Sequence, residues 1–514
     1  MIKKIFILLF VSVVVCIAKS DKPNVIVILA DDLGYADVGF HDVTASDVHT
    51  PNLDRLAASG VSFLNAYASS PICSNSRLAL STGRYQQRWG AYYYAEGGLP
   101  RTEHTIAEMM LEAGYRTMKV GKTHMNDGPK SHPMKHGFER FLGFIHHSWD
   151  YHLLSSKDVQ AYENKRRGSP QKMTQSPIGP LTRNEGAKES YEGITTTEIF
   201  EREAISFITE ESDQPFYLRL SFNAVHTPLT RAPNPQLAKK YGIPLRPFDR
   251  DAAVWKYPLW DPVKQPNYKK WYSQAAHLGI PDPYGRKIYL AHLEQMDLAI
   301  GNLMNALEAQ GIADNTIIFF SSDNGGSDQS YANNGNINAY KYCLMDGGIK
   351  VPMVLSWPER FEKGTRIEAT VTHRDLFASL SEITGIAPKK SLDGKSLLPL
   401  IDGSVSDLHA GETLFWDSGR KQGNWVARQG KWKLVYRKKP KDYKAYQLDE
   451  NGLVKKEFKT VPIASGLQLY DLEADPGETK NLAKQNPERV TAMKKMYTAW
   501  RSEMAEPIRG RDVK

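Results

Sequence analysis

Apolar runs closed by acidic, amide or histidine side chains recur along this 514-residue chain. Asn24 to Ala30, Pro215 to Phe222 and Ile317 to Ser322 are such runs, and apolarity that does not alternate reads as a strand buried on both faces. Between them the apolar positions fall at helical spacing. Thr50 to Ala57 opens with Pro51 in its first turn, Thr105 to Ala113 and about Thr195 to Thr209 follow, and Tyr284 to Gln310 carries Leu290, Leu293, Met296, Ile300, Leu303 and Leu307 on one stripe. Strands and helices taken in turn predict an α/β domain.

The pattern changes after a Gly/Ser/Asp-rich link near Asp402 to Gly411. Short strand-like runs at Thr413 to Trp416, Asn424 to Arg428 and Trp432 to Tyr436 predict an antiparallel sheet, and a last helix runs from about Pro487 to Met504. We therefore place a large domain over 21–400 and a small antiparallel α+β subdomain over 401–514. Two excursions interrupt the large domain. One, near 155–190, is polar with Pro170, Pro177 and Pro180 inside it. The other, 233–284, interleaves Trp255, Tyr257, Trp260, Tyr268, Trp271 and Tyr272 with Arg246, Arg250, Lys256, Lys264, Lys269 and Lys270. Flat rings stack on sugars and cations pair with sulfate or carboxylate, so these are candidate substrate contacts.

Residues 1–20 carry Lys3 and Lys4, an apolar run from Ile5 to Val15, and the small residues Ala18 and Ser20 about Lys19. This is the pattern of a secretion signal. Val13, Val14 and Val15 precede Cys16 where a lipoprotein signal needs small residues, so plain export to the periplasm or medium outranks lipid anchoring. No later stretch has the length of a membrane helix. The formal charge of +8 falls to +5 without the three leader lysines. That mild basicity suits a polyanionic carbohydrate, and a nucleic-acid role would rest on charge alone. Beyond the leader only Cys73 and Cys343 remain, so the exported chain does not depend on disulfides.

The candidate chemistry lies at the ends of the apolar runs. The first ends in Asp31-Asp32-Leu33-Gly34 and the third in Asp323-Asn324-Gly325-Gly326. A lone pair of adjacent acids reads equally as a solvated turn, but two strands each ending in paired oxygen side chains supply hard ligands suited to calcium or magnesium. Cys73 stands just ahead of Leu78 and Leu80, at or before a helix N-terminus where backbone N–H groups favour an anion, and Arg77 shares that face. Lys122 and His124 are two apart after a strand and point to one side if that segment is extended. His226 follows the second run.

Cys73-Ser74-Asn75-Ser76-Arg77 with Leu80-Ser81-Thr82-Gly83-Arg84 resembles the signature of the type I sulfatases, with Asn75 where that family prefers Pro. Gly121-Lys122-Thr123-His124, the following His136 to Phe141, Asn223 to Pro228, and Lys341 ahead of Asp346-Gly347-Gly348-Ile349-Lys350-Val351-Pro352 match further family segments. Asp346 stands there in place of Glu. Leu392 to Leu397 looks like the family's passage out of its large domain.

The resemblance implies an alkaline phosphatase-like fold, with a central mixed, mostly parallel sheet flanked by helices, and a sulfuric ester hydrolase. It implies that Cys73 is converted to formylglycine (3-oxoalanine) by a formylglycine-generating or anaerobic sulfatase-maturating enzyme, and that the aldehyde hydrate is the nucleophile. Asp31, Asp32, Asp323 and Asn324 would hold one divalent cation together with the modified Cys73, calcium ranking ahead of magnesium. Arg77 and His124 would orient and activate the hydrate. Lys122, Lys341 and His226 would neutralise the sulfate, and His226 would protonate the leaving oxygen. S–O cleavage leaves a sulfated nucleophile, from which the second hydroxyl expels sulfate. The implied substrate is a sulfated polysaccharide, with ulvan, carrageenan or fucoidan ahead of glycosaminoglycans. The rivals are a phosphate or phosphonate monoester hydrolase and a non-catalytic protein that binds sulfated glycans.

Overall fold

The computed structural model describes residues 22–93, 97–125, 131–145, 151–152, 181–189, 191, 193–227, 229, 231–245, 282–419 and 423–508. The leader, the greater part of the polar excursion and the aromatic-basic set of the second excursion lie outside the described residues. Among the described residues ten strands form the main sheet. At its centre β1 (Asn24–Ala30) pairs in parallel with β8 (Thr316–Ser322) on one side and β7 (Phe216–Ser221) on the other. Beyond β7 come β3 (Arg116–Lys122) and β4 (Arg140–Phe144), also parallel. Beyond β8, β9 (Met353–Ser356) runs antiparallel, followed by β2 (Val61–Tyr67) and β10 (Thr365–Thr372).

Successive side chains of β1 go to opposite faces, which is why the run is apolar throughout. Ile26, Ile28 and Ala30 enter a core with Leu53 and Leu56 of α1 (Pro51–Ala58), Ile199 and Phe200 of a helix at Thr196–Ile208, and Ile288 and Met296 of a helix at Gly285–Ala309. Val25, Val27 and Leu29 enter another, with Leu80 of α2 (Cys73–Thr82), Met109 of α3 (Ile106–Glu112), and Phe377 of a helix at Asp375–Thr384. Each fully buried side chain of this size contributes roughly 1.5–3 kcal/mol. The antiparallel subdomain has β11 (Leu414–Asp417), β12 (Trp425–Gln429), β13 (Trp432–Arg437) and β16 (Gly466–Asp471) in that order, beside a two-stranded pair at Lys441–Ala445 and Lys459–Ile463. The last helix, Pro487–Glu503, covers it, with Tyr497 stacked on Trp425 at 4.0 Å between ring centres.

Three features go beyond the sequence pattern. Thr50 makes no side-chain cap for α1. Buried Asp297, from the long helix, instead accepts the N–H groups of Asn52 at 3.1 Å and Leu53 at 2.8 Å, a cap supplied from far along the chain. The polar excursion is not wholly irregular, since Leu181–Arg183 and Ala187–Glu189 add two antiparallel strands at the β4 edge. Strands β2, β9 and β10, each short or broken by polar residues, had no clear sequence pattern.

The two sheets meet at a buried ion cluster. Lys433 of β13 reaches Asp346 at 2.6 Å and Glu478 at 2.7 Å. Tyr67 donates to Asp346 at 2.7 Å, and the Asp346 N–H donates to Glu478 at 2.7 Å. Burial pushes Glu478 up to about 7, whereas for Asp346 burial, which would raise it, is outweighed by Lys433, Arg428 and Lys350 together, and it is lowered. Removing Lys433 takes away the cation in direct contact with both buried carboxylates. Lys433→Met should therefore lose about 3–5 kcal/mol in urea unfolding, and a loss under about 1 kcal/mol would show that the cluster is not bearing charge across this boundary.

Candidate active site

The parallel register decides where the site forms. Ala30 is opposite Ser322 and Leu29 is opposite Ser321, so β1 and β8 end at the same height and release Asp31-Asp32 and Asp323-Asn324 side by side. The Asp323 N–H donates to the Ala30 carbonyl at 3.1 Å, and the Asp31 N–H donates to the carbonyl of Ala224, just past β7, at 2.8 Å. Asp32 takes a left-handed φ of 61°, and its N–H donates to Asp323 Oδ1 at 3.3 Å. The Ser322 hydroxyl fixes the turn, accepting the Leu33 N–H at 3.0 Å and donating to the Asn324 carbonyl at 2.7 Å.

Helix α2 starts at Cys73 with Ile72 as its N-cap and ends at Gly83 in the left-handed region. Four residues are about one turn, so Arg77 comes back under Cys73. Its Nε and Nη2 each lie 2.7 Å from Asp323 Oδ2, and Nη1 donates to the Lys122 carbonyl at 3.0 Å. Lys122 Nζ is 2.5 Å from Asp31 Oδ2. Lys341 bridges both oxygens of Asp32, at 2.7 and 2.9 Å, and stands 3.0 Å from Cys73 Sγ. Three buried carboxylates thus face three buried cations. Burial pushes Asp31 up to about 7, with Lys122 opposing it and the other two carboxylates adding to it. Burial alone would raise Asp323 too, but Arg77, Lys122 and Lys341 hold it below its usual value. Burial, with Asp323 beside it, pushes the Cys73 thiol up, and a thiol kept neutral is a poor nucleophile.

The donor set fits a hard cation. Asp31, Asp32, Cys73 and His226 each present a ligand atom, all within 4.8 Å of one another. Asp31 Oδ1 and Asn324 Oδ1 are buried oxygens with no hydrogen-bond partner, whereas buried acceptors are normally satisfied. Asn324 Nδ2 donates to Asp32 Oδ1 at 2.8 Å, which ties that amide to the carboxylate cluster. Oxygen donors freed in this way suit calcium or magnesium.

Of the residues expected from sequence, Asp31, Asp32, Cys73, Arg77, Lys122, His226, Asp323, Asn324 and Lys341 are brought together. His226 Nε2 lies 3.6 Å from Asp32 Oδ2, and its Nδ1 meets the Thr227 carbonyl at 2.5 Å, which requires Nδ1 to carry a proton. His124 is buried, but its φ of 42° takes it out of extended geometry. The argument that put its side chain beside that of Lys122 therefore fails, because β3 ends at Lys122.

Sequence reading missed the supports. His373 bridges Ser76 of α2 at 3.2 Å and Ser321 of β8 at 2.9 Å, locking the helix that opens with Cys73 to the strand that delivers Asp323. Asn334 accepts the Gly326 N–H at 3.2 Å and donates to the carbonyls of Ala339 and Gly347 at 3.0 and 2.9 Å, bracing the loop that carries Lys341. Gly325 is needed there, since a Cβ would lie 2.1 Å from the Gly347 carbonyl oxygen. These residues act across long sequence separations and leave no local pattern.

The family model described as Sulfatase matches residues 23–386, and one described as N-sulphoglucosamine sulphohydrolase, C-terminal, matches 339–452. N-acetylgalactosamine-6-sulfatase of Canis lupus familiaris is 28% identical over 418 residues, covering 76% of this chain and 69% of its own. Arylsulfatase A of Bos taurus is 29% identical over 508 residues, covering 93% and 88%. Among solved structures, Ps i-CgsB in complex with k-i-k-neocarrahexaose superposes with a TM-score of 0.75 at 29% identity, over 96% of this chain and 95% of that one. A second structure of Ps i-CgsB gives 0.74 at 30% identity, over 95% and 94%.

The His373 bridge has a pH signature. Burial lowers this imidazole from 6.5 to about 3. The unfolded chain takes up the proton between those values and the folded chain does not, so the contribution to stability is fully present above 6.5 and is lost as pH falls toward 3. His373→Asn should make the decline of urea-derived stability on acidification below about pH 6.5 shallower, by roughly 1.4 kcal/mol per pH unit. An unchanged slope would mean that the ring is protonated in the fold.

Proposed function

Since the chain belongs to the sulfatase family, whose members hydrolyse sulfuric esters, we propose that it removes sulfate from a sulfated polysaccharide or its oligosaccharides, carrageenan-type galactans first. The observation that carries the reading is the matched ending of β1 and β8, which gathers Asp31, Asp32, Asp323 and Asn324 beside Cys73 at a helix N-terminus. Support for the substrate class comes from the near end-to-end likeness to Ps i-CgsB, seen with a neocarrahexaose, and from relatives named for N-acetylgalactosamine, another galactose-configured sugar. Ulvan, fucoidan and glycosaminoglycans rank behind. Export of the chain by its first twenty residues belongs to the same proposal.

In this reading the Cys73 Sγ position stands in for the oxygens of formylglycine, made by a dedicated maturating enzyme. Hydrated, that aldehyde supplies a nucleophilic oxygen and a second hydroxyl whose ionisation allows sulfate to depart. Asp31, Asp32, Asp323 and Asn324 would hold calcium, with magnesium second, and the ion supplies Lewis-acid charge beside the sulfate. The chain's own residues do the rest. Lys341, 3.0 Å from Cys73 Sγ, is placed to meet charge that develops on sulfate oxygens during transfer. Lys122 performs the same service from the Asp31 side. Arg77 holds Asp323 in place with a hydrogen bond from Nε and an ion pair from Nη2. His226, with Nδ1–H directed to Thr227, offers Nε2 to the site and in its protonated form supplies the leaving sugar oxygen with a proton. His124 is assigned to activation of the hydrate.

The test is release of inorganic sulfate from carrageenan, ulvan, fucoidan and glycosaminoglycans and their oligosaccharides, using enzyme stripped of divalent ions and then given calcium or zinc. We expect release from the galactan set, loss of activity on chelation, and better recovery with calcium than with zinc. Full activity in demonstrably metal-free enzyme would overturn the ligand assignment. Faster turnover of a phosphate than of a sulfate monoester of the same phenol would overturn the reaction class.

A further inference from the structure

Two basic side chains lie side by side inside the large domain, on the sheet face that carries α2 and α3. Lys119 of β3 and Arg219 of β7 are register partners in adjacent strands, exposed by 0% and 2%. Lys119 Nζ donates to the Ser221 hydroxyl at 3.1 Å, and Arg219 Nη1 donates to the Ser81 hydroxyl. Arg219 Nε and Nη2 remain as buried donors without a hydrogen-bond partner, and so does the Thr123 hydroxyl. Lys119, Arg219, Thr123 and Ser81 line one internal cavity, which has no carboxylate among its described lining residues. It leaves about 10 Å³ for the centre of an occupant, roughly one water-sized body.

The charge balance is one-sided. Burial lowers Arg219 to about 10, which leaves it a cation at neutral pH. Burial, with Arg219 and Arg77 acting in the same direction, holds Lys119 well below its usual value. Asp323 is the carboxylate whose charge reaches Arg219, but its oxygens are taken by Arg77 and by the Asp32 N–H. A buried charge needs a partner. A water molecule would bring two hydrogens of its own to a place already crowded with donors, and sulfate exceeds the space.

We propose that this cavity binds one small monovalent anion of the halide class, chloride in ordinary buffers, between Lys119 Nζ and the Nε–Nη2 edge of Arg219. The site is separate from the carboxylate cluster. It is joined to the nucleophile helix through Ser81, whose hydroxyl accepts from Arg219 and donates to the Arg77 carbonyl at 2.7 Å.

Diffraction from crystals of the wild-type protein prepared in chloride, recorded on both sides of the chlorine absorption edge, tests this without a variant. An anomalous peak between Lys119 and Arg219 that appears only above the edge is expected. In solution, replacing chloride with gluconate at fixed ionic strength should lower the thermal midpoint by about 2 °C or more, and Arg219→Met should abolish that difference. An absent peak overturns the proposal, and so does a halide effect of equal size in Arg219→Met.

Discussion

Three carboxylates in a space almost closed to water are the constraint around which this molecule is arranged. Asp31, Asp32 and Asp323 are each at most 2% exposed, and charges so placed are tolerated only when paired. The partners come from three separate parts of the chain: Arg77 from α2, Lys122 from the end of β3 and Lys341 from a loop beyond β8. Folding must bring all of them to the point where β1 and β8 stop. Removing one partner of a buried pair typically costs about 3–5 kcal/mol, so these cations hold the fold whatever part they take in the proposed chemistry. A loss of activity in their variants therefore has meaning only beside a measured stability.

The antiparallel subdomain participates in this arrangement. Lys433 of β13 grips Asp346, which is five residues from Lys341 and opens the glycine-rich segment that packs on Gly325. Trp416 donates to the Ala68 carbonyl at 2.8 Å, and Arg428 lies 4.5 Å over the Tyr67 ring, so β11 and β12 also hold the chain leading into α2. The small sheet thus steadies the segments that carry both Cys73 and Lys341.

Much of the site was legible because its chemistry sits at the ends of apolar runs. Continuous apolarity marked β1, β7 and β8, and the oxygen pairs that follow β1 and β8 marked the place where the buried carboxylates gather. Helix α2 began where the Cys73 segment placed it. Legibility stopped where a residue acts through a distant partner. Nothing local distinguishes His373 as the bridge between Ser76 and Ser321, Asp297 as the cap of α1, or Lys433 as the counter-charge to Asp346 and Glu478. His124 shows the converse error, in which a sound rule for extended chain was applied one step past the end of β3, where the backbone turns left-handed.

The proposed chemistry turns on Cys73, whose thiol is buried and held neutral. The most direct measurement is the mass of the peptide containing Cys73, in preparations made with differing amounts of a formylglycine-generating enzyme and assayed in parallel for sulfate release. The account predicts a peptide in which the thiol has been replaced by an aldehyde, and activity proportional to the converted fraction. Substantial sulfate release from protein whose Cys73 is entirely an unmodified thiol would contradict it.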